Sequence, residues 1–207
     1  MNKITIIATL FFIVLAFLIF MKEDTKSLSY EVLKDDAIIL AFGDSLTYGF
    51  GASSEFSYPY MLGKKSSLKV INAGVNGEFS AEGLERLGEY LKQKPSLVIL
   101  CHGGNDILNN LSHVELKSNL LKMINLIKNT KAEILLVGVP DFNTFSFAPP
   151  SLYEDVAEET GVLFEDEVLT YIELHRSLKS DYVHPNEKGY EMMADSFMEI
   201  LLKNGLL

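Results

Sequence analysis

The sequence predicts an α/β protein in which a parallel sheet is covered by helices on both faces. Two observations carry this. Short apolar runs recur along the 207-residue chain, mostly stopped by glycine, asparagine or proline, and segments with leucine at three- and four-residue spacing lie between them. Strands that alternate with helices of this length require crossover connections, which bury the sheet on both sides. No repeat or low-complexity tract interrupts the alternation.

The first strand is predicted at Ala37–Phe42, an unbroken apolar run of the kind found in buried parallel strands. Leu68–Asn72 is the second and Ser96–Cys101 the third. Glu133–Val139, ended by Pro140, is the fourth, and Val162–Phe164 a short fifth. Helical periodicity covers Ala81–Lys94 through Leu84, Leu87 and Leu91, and Val114–Lys128 through Leu116, Leu120, Ile124 and Ile127. Leu152–Thr160 and Glu187–Leu202 complete the set, the last with Asn186 as its N-cap. These apolar stripes are core faces.

The amino terminus reads differently. Ile4 to Met21 carries no charge and only Thr5 and Thr9 as polar residues. As a helix it would span roughly 27 Å, close to the hydrocarbon thickness of a bilayer. The bulky exit Leu18-Ile19-Phe20-Met21-Lys22 lacks the small residues of a cleavage site, so residues 1–21 read as an uncleaved signal-anchor, with a cleaved signal or a buried helix as alternatives. Residues 22–36 are polar and read as a linker to a domain over 37–207. Lysines flank the span on both sides, which leaves orientation open under the positive-inside rule. A short tail before a large domain favours export of the domain, so the expected location is the extracytoplasmic side of a cell membrane.

The formal net charge is -10; outside residues 1–26 it is -11, from 15 basic and 26 acidic residues. Nucleic acid is therefore excluded as a partner, because phosphate binding needs a basic footprint. Cys101 is the single cysteine, so no intrachain disulfide exists, and it reads as a buried, inert thiol. Oligomeric state is not legible.

Chemistry concentrates where the first three strands end, in Gly43-Asp44-Ser45, Asn72 to Gly77, and Gly103-Gly104-Asn105-Asp106. A parallel sheet brings such loops to one edge, where ligands of open α/β folds bind. Ser45 is there a turn-former or a nucleophile. Glycine backbone and asparagine amide are neutral donors of the kind a tetrahedral oxyanion needs, although such clusters also form ordinary turns. Asp181-Tyr182-Val183-His184-Pro185 precedes the last helix; His184 can serve as base toward Ser45, with Asp181 fixing its tautomer. His102 follows a core strand and is either near the site or packed, whereas His113 and His175 have no such context. Asp44 and Asp106 read as loop-fixing. Ser45 is not in Gly-x-Ser-x-Gly, since Thr47 takes the final position, so a nucleophile elbow is not indicated. No metal or cofactor motif is present in the sequence, and none is expected to be needed.

These four blocks, in this order over residues 38–187, resemble the SGNH hydrolase (GDSL lipase/esterase) superfamily, and within it the branch of bacterial thioesterase I/lysophospholipase L1 and arylesterases. The resemblance implies a flavodoxin-like three-layer α/β/α fold with strand order 2-1-3-4-5. It implies Ser45 as nucleophile, His184 as base and Asp181 as its partner. The oxyanion donors would be the Ser45 N–H, the Gly77 N–H and the Asn105 side chain. Gly77 is preferred to Gly74 because the family glycine precedes an acidic residue, here Glu78.

The substrate expected is an acyl ester or thioester, with lysophospholipids or small lipophilic and aryl esters favoured. Phe142, Phe145 and Phe147 follow the fourth strand on the same edge and could line an acyl groove, or could pack on the adjoining helix. A carbohydrate O-deacetylase using the same residues, and an inert ligand-binding module, are the alternatives.

Overall fold

The computed structural model describes residues 30–207. The span expected over residues 4–21 lies outside them, as does most of the linker; among the described residues no helix is long and apolar enough to cross a membrane. Five strands, β1 (Ile38–Gly43), β2 (Lys69–Gly74), β3 (Leu97–Cys101), β4 (Glu133–Val137) and β5 (Leu163–Glu165), form one parallel sheet in the order β2-β1-β3-β4-β5. β3 is buried at every position, with β1 paired on one side and β4 on the other. Each of its Leu, Ile and Val side chains contributes roughly 1.5–3 kcal/mol on leaving water. β2 lies at the edge, and only Ala73 of its six residues is buried.

The helices are α1 (Ser45–Tyr48), α2 (Tyr58–Ser66), α3 (Ser80–Leu91), α4 (Gly104–Leu108), α5 (His113–Lys128), α6 (Leu152–Thr160), α7 (Val168–Leu174) and α8 (Glu187–Lys203). α2 packs on α8, and α7 on α8, as one layer; α3, α5 and α6 form a second row. The leucine stripes face the core as the spacing predicts: Leu87, Leu116, Leu120, Ile124 and Ile127 are all fully buried. Asn186 caps α8, its side-chain oxygen accepting from the Lys188 and Gly189 N–H groups. Ser112 caps α5 in the same way.

Four helices have no counterpart in the periodicity, the first being α1, a single turn of four residues. α4 and α7 have five and seven residues, too few to show a period, and α4 falls in a Gly-Asn-Asp stretch that reads as a turn. α2 is opened by Tyr58-Pro59 and anchored by buried Tyr58 and Leu62. The strand ends also shift: β4 stops at Val137, and Gly138 continues toward β5 by donating to the Glu165 carbonyl at 2.7 Å.

The order of strands decides where a site can form. From β1 the chain moves to β2, then crosses back over β1 to reach β3. The connections leaving β1 and β3 therefore diverge, and a crevice opens at their carboxyl ends. The described chain enters at the other end: the Leu33 N–H donates to the Leu206 carbonyl at 2.8 Å, and the Glu31 N–H to the Glu133 carboxylate where β4 begins.

Glu165 at the end of β5 is only 4% exposed. One carboxylate oxygen accepts from the Val168 and Glu167 N–H groups and the Ser196 hydroxyl, while the other has no partner. Burial pushes its pKa up against those hydrogen bonds. A carboxyl whose folded pKa is raised contributes stability at acid pH that is lost as pH rises through that value. Glu165→Gln, neutral at every pH, should therefore gain thermal stability relative to the parent at about pH 8 and not at about pH 4. The gain expected is about 2–4 °C. Equal melting shifts at both pH values would contradict this account.

Candidate active site

β1 ends against β3 more closely than any side chain permits. A Cβ on Gly43 would lie 1.8 Å from the Cys101 carbonyl oxygen and 2.5 Å from Thr47 Oγ1. The next residue, Asp44, is fully buried and joins two loops: Oδ1 accepts from the Leu46 N–H and Oδ2 from the Gly104 N–H, both at 3.1 Å. Burial pushes the Asp44 carboxyl up, opposed by His102, these N–H donors and His184. Asp44 thereby caps α1, and Ser45 opens it, with a first-turn N–H that no intrahelical carbonyl can take. Asp106 acts as the sequence suggests: its carboxylate accepts from the Ser80 N–H at 2.9 Å and the Ser80 hydroxyl at 2.6 Å, tying α4 to the start of α3.

His184 approaches from the loop before α8. The Ser45 hydroxyl donates to His184 Nε2 at 3.0 Å, and His184 Nδ1 donates to Asp181 Oδ2 at 2.8 Å. The other Asp181 oxygen accepts from the Val183 and His184 N–H groups at 2.9 and 2.8 Å. Burial works against ionisation of Asp181, but the donors from the His184 ring and from the two backbone N–H groups outweigh it and hold its carboxyl below the usual range. An ionised carboxylate only accepts, which places the proton on Nδ1 and leaves Nε2 as acceptor. The Phe50 ring lies 4.6 Å from the imidazole. Lys179 anchors the loop from behind, bonding the Glu173 carboxylate and the Tyr182 carbonyl.

Gly77 and Asn105 line the same pocket as Ser45 and His184, a cavity of about 170 Å³. Gly74 does not. Its N–H is taken by Asn72 Oδ1 at 2.9 Å, and a Cβ there would meet the Tyr48 nitrogen at 2.0 Å, so its glycine serves close packing of β2 on α1. Gly77 has φ +76° and open space around it. Asn105 donates one amide hydrogen to the Glu78 carbonyl at 3.0 Å, leaving a second for the pocket.

The three phenylalanines are not one groove. Phe142 is buried and lines the pocket, but Phe145 is fully exposed and Phe147 lies beside Lys179; neither lines it. The chain folds back on itself here, with the Asp141 N–H donating to the Ala148 carbonyl, which puts Phe145 at the tip of a turn. The remaining apolar lining comes from Leu46, Phe50, Leu108 and Val183. His102 is fully buried and bonded to Glu78, Cys101 is a buried thiol whose pKa burial pushes well up, and His175 stacks on Tyr171. Among the described residues no group of three or more His, Cys, Asp or Glu side chains is arranged to hold a metal ion.

The sequence profile of the GDSL-like lipase/acylhydrolase family matches residues 41–192. The chain belongs to this family. Thioesterase 1/protease 1/lysophospholipase L1 of Escherichia coli (strain K12) is 30% identical over 168 residues, covering 76% of this chain and 79% of that protein. Arylesterase of Vibrio mimicus is 29% identical over 180 residues, covering 80% and 88%. Among solved structures, TesA superposes with a TM-score of 0.72 at 24% identity, over 81% of this chain and 99% of its own. AlinE4, an SGNH-hydrolase family esterase, superposes with a TM-score of 0.62 at 30% identity, over 83% and 97%. The protein is a GDSL-type esterase with the five-stranded sheet order expected of that resemblance.

Phe50, Asn76, Leu108 and Val183 are pocket residues that composition alone does not single out in this GDSL-type esterase. Arg86 is likewise unmarked in the sequence, and Glu78 is marked there only as the acidic residue after Gly77. Asp44→Ala would strand the Leu46 and Gly104 N–H groups, at roughly 1–3 kcal/mol each. The variant should melt lower than the parent and react with a fluorophosphonate about 10- to 100-fold more slowly at Ser45. An unchanged labelling rate would show that Asp44 does not hold the serine in place.

Proposed function

We propose that Ser45 is the nucleophile of a carboxylic ester and thioester hydrolase, with His184 as general base, Asp181 as its orienting partner, and the Ser45 N–H, Gly77 N–H and Asn105 amide as oxyanion donors. The observation that carries this reading is the unbroken hydrogen-bond chain from Asp181 through His184 to Ser45, facing a pocket that Gly77 and Asn105 also line. Ser45 Oγ attacks the acyl carbon as its proton passes to His184 Nε2, and the imidazolium is stabilised by Asp181. The carbonyl oxygen, now anionic, takes the three donors. Collapse expels the alcohol or thiol with the proton from His184, and water, deprotonated by the same nitrogen, releases the acid from the acyl-enzyme.

The lining by Leu46, Phe50, Leu108, Phe142 and Val183 supports an apolar acyl group. The volume of about 170 Å³ accommodates a short acyl chain whole and a longer one only in part. Medium-chain esters and mono-acyl lipids are the substrates this reading favours. The same small volume also suits acetyl, which keeps a carbohydrate O-deacetylase as the second reading. We also read residues 1–21 as a membrane anchor with the domain outside the cytoplasm; retention of the protein in the membrane fraction, with protease access from the outer side, tests that reading.

Ser45→Ala should lose about 10³-fold or more in kcat on a 4-nitrophenyl ester. Asn105→Ala should lose about 10²–10³-fold, the usual cost of one oxyanion donor. Full activity of Ser45→Ala would end the nucleophile assignment. A series of 4-nitrophenyl esters from acetate to palmitate, run beside acetylated xylan, separates the two substrate readings: a maximum at medium chain length supports the lipophilic ester, and a preference for acetylated glycan supports the deacetylase.

A further inference from the structure

Glu78 directly follows Gly77 and is only 6% exposed. Its carbonyl accepts from the Asn105 amide at 3.0 Å, and because that amide is planar, the bond sets where its second N–H points. The Glu78 side chain is held in turn from two directions. Arg86 donates from Nε to one carboxylate oxygen and from Nη2 to the other at 2.6 Å, and His102 Nε2 donates to the latter at 3.0 Å. Burial opposes the charge, but these bonds outweigh it and keep the Glu78 carboxyl below its ordinary range, which fixes the His102 proton on Nε2.

Arg86 does more than neutralise Glu78. Its Nη2 also faces the Gly43 carbonyl at 3.1 Å and the Ala73 carbonyl at 2.9 Å, so that its two hydrogens are shared among these and the Glu78 carboxylate. One rigid guanidinium thus ties the end of β1, two residues before Ser45, to the end of β2 and to the turn that carries Gly77. Phe42 and Tyr90 flank it, at 4.1 and 5.2 Å from their ring centres. His102 adds the third loop, since it immediately precedes Gly103-Gly104-Asn105. Room for its ring comes from α3, where a Cβ on Gly83 would lie 2.2 Å from His102 Nε2.

Stability alone does not account for this arrangement. Arg86 Nη1 and His102 Nδ1 are buried without a partner, and buried ionic groups commonly stabilise no better than apolar residues of similar volume. We propose that Glu78, Arg86 and His102 form a buried positioning clamp that holds the oxyanion donors Gly77 and Asn105 at a set distance from Ser45. The proposal rests on the assignment of those donors in the preceding subsection.

The test uses the full chain carrying Glu78→Ala or His102→Leu, each alone and combined with Asn105→Ala. Competent serines are counted by fluorophosphonate labelling, and kcat per labelled serine and KM are measured on 4-nitrophenyl butyrate. Glu78→Ala should lower kcat per labelled serine by about 10- to 100-fold with KM within about threefold of the parent. In the Asn105→Ala background the same change should cost less than about threefold, because the group it positions is already gone. His102→Leu, which takes one donor from the Glu78 carboxylate, should lose about 3- to 10-fold per labelled serine. An unchanged kcat per labelled serine, with only the labelled fraction or the melting temperature reduced, overturns the clamp, as do losses that multiply fully with Asn105→Ala. Where Glu78→Ala yields no folded protein, His102→Leu decides by the same criteria. Failure of the unmodified protein to label at Ser45 overturns the nucleophile assignment and the clamp with it, whereas normal labelling with unchanged kcat in the variants overturns the clamp alone.

Discussion

The junction between β1 and β3 sets everything around it. Gly43 sits so close to the Cys101 carbonyl that no side chain could replace its hydrogen, and this brings the loop carrying Ser45 directly beside the loop carrying Asn105. Asp44 then bridges the two by accepting an N–H from each side. Since the connections from β1 and β3 diverge, the space between them stays open to a ligand while its floor is rigid. His184 reaches this floor from a residue 139 positions later in the chain. Its approach depends on a loop pinned at Asp181 and at Lys179.

Polar groups are buried around this junction at a density that a core would ordinarily avoid. Asp44, Glu78, His102 and Asp106 are all nearly or fully withdrawn from water. Most are satisfied by backbone N–H groups or by one another, which is the condition for burying charge without a large penalty. Among the described residues, two of the three buried side-chain N and O atoms without partners, on Arg86 and His102, lie here as well. The concentration of such groups behind one pocket, rather than through the sheet, is what a preorganised electrostatic site requires: dipoles fixed before substrate arrives need no reorganisation when charge develops.

Much of the architecture was legible in sequence because it rests on local pattern. Unbroken apolar runs marked the strands, leucine spacing marked α3 and α5, and Asn186 marked the start of α8; each reflects a choice made within a few residues. Ser45 and Asn105 were marked by short motifs after β1 and β3, and Asp181 and His184 by the motif before the last helix, and the structure brings all four to one pocket or to its edge. The phenylalanines of the 140–150 segment were not. Whether an aromatic lines a pocket depends on the path of its loop, and the Asp141–Ala148 hydrogen bond turns Phe145 outward. The short helices α4 and α7 were hidden for a related reason, being held by their neighbours rather than by a period of their own.

Sequence by itself determined the fold class and the family, because these follow from periodicity and from short contiguous motifs, and it nominated the residues proposed to do the chemistry. Only tertiary structure decided which glycine faces the pocket, which phenylalanine reaches it, and that Arg86, Glu78 and His102 meet behind the loops that carry Gly77 and Asn105. Those outcomes depend on where separate loops converge. Arg86 looks like one more solvated helix charge until the strand order places the Gly43 and Ala73 carbonyls within reach of its guanidinium. The physical reason is range: local pattern is set by neighbours three or four residues away, whereas a site is set by distances between residues that the chain separates and the sheet reunites.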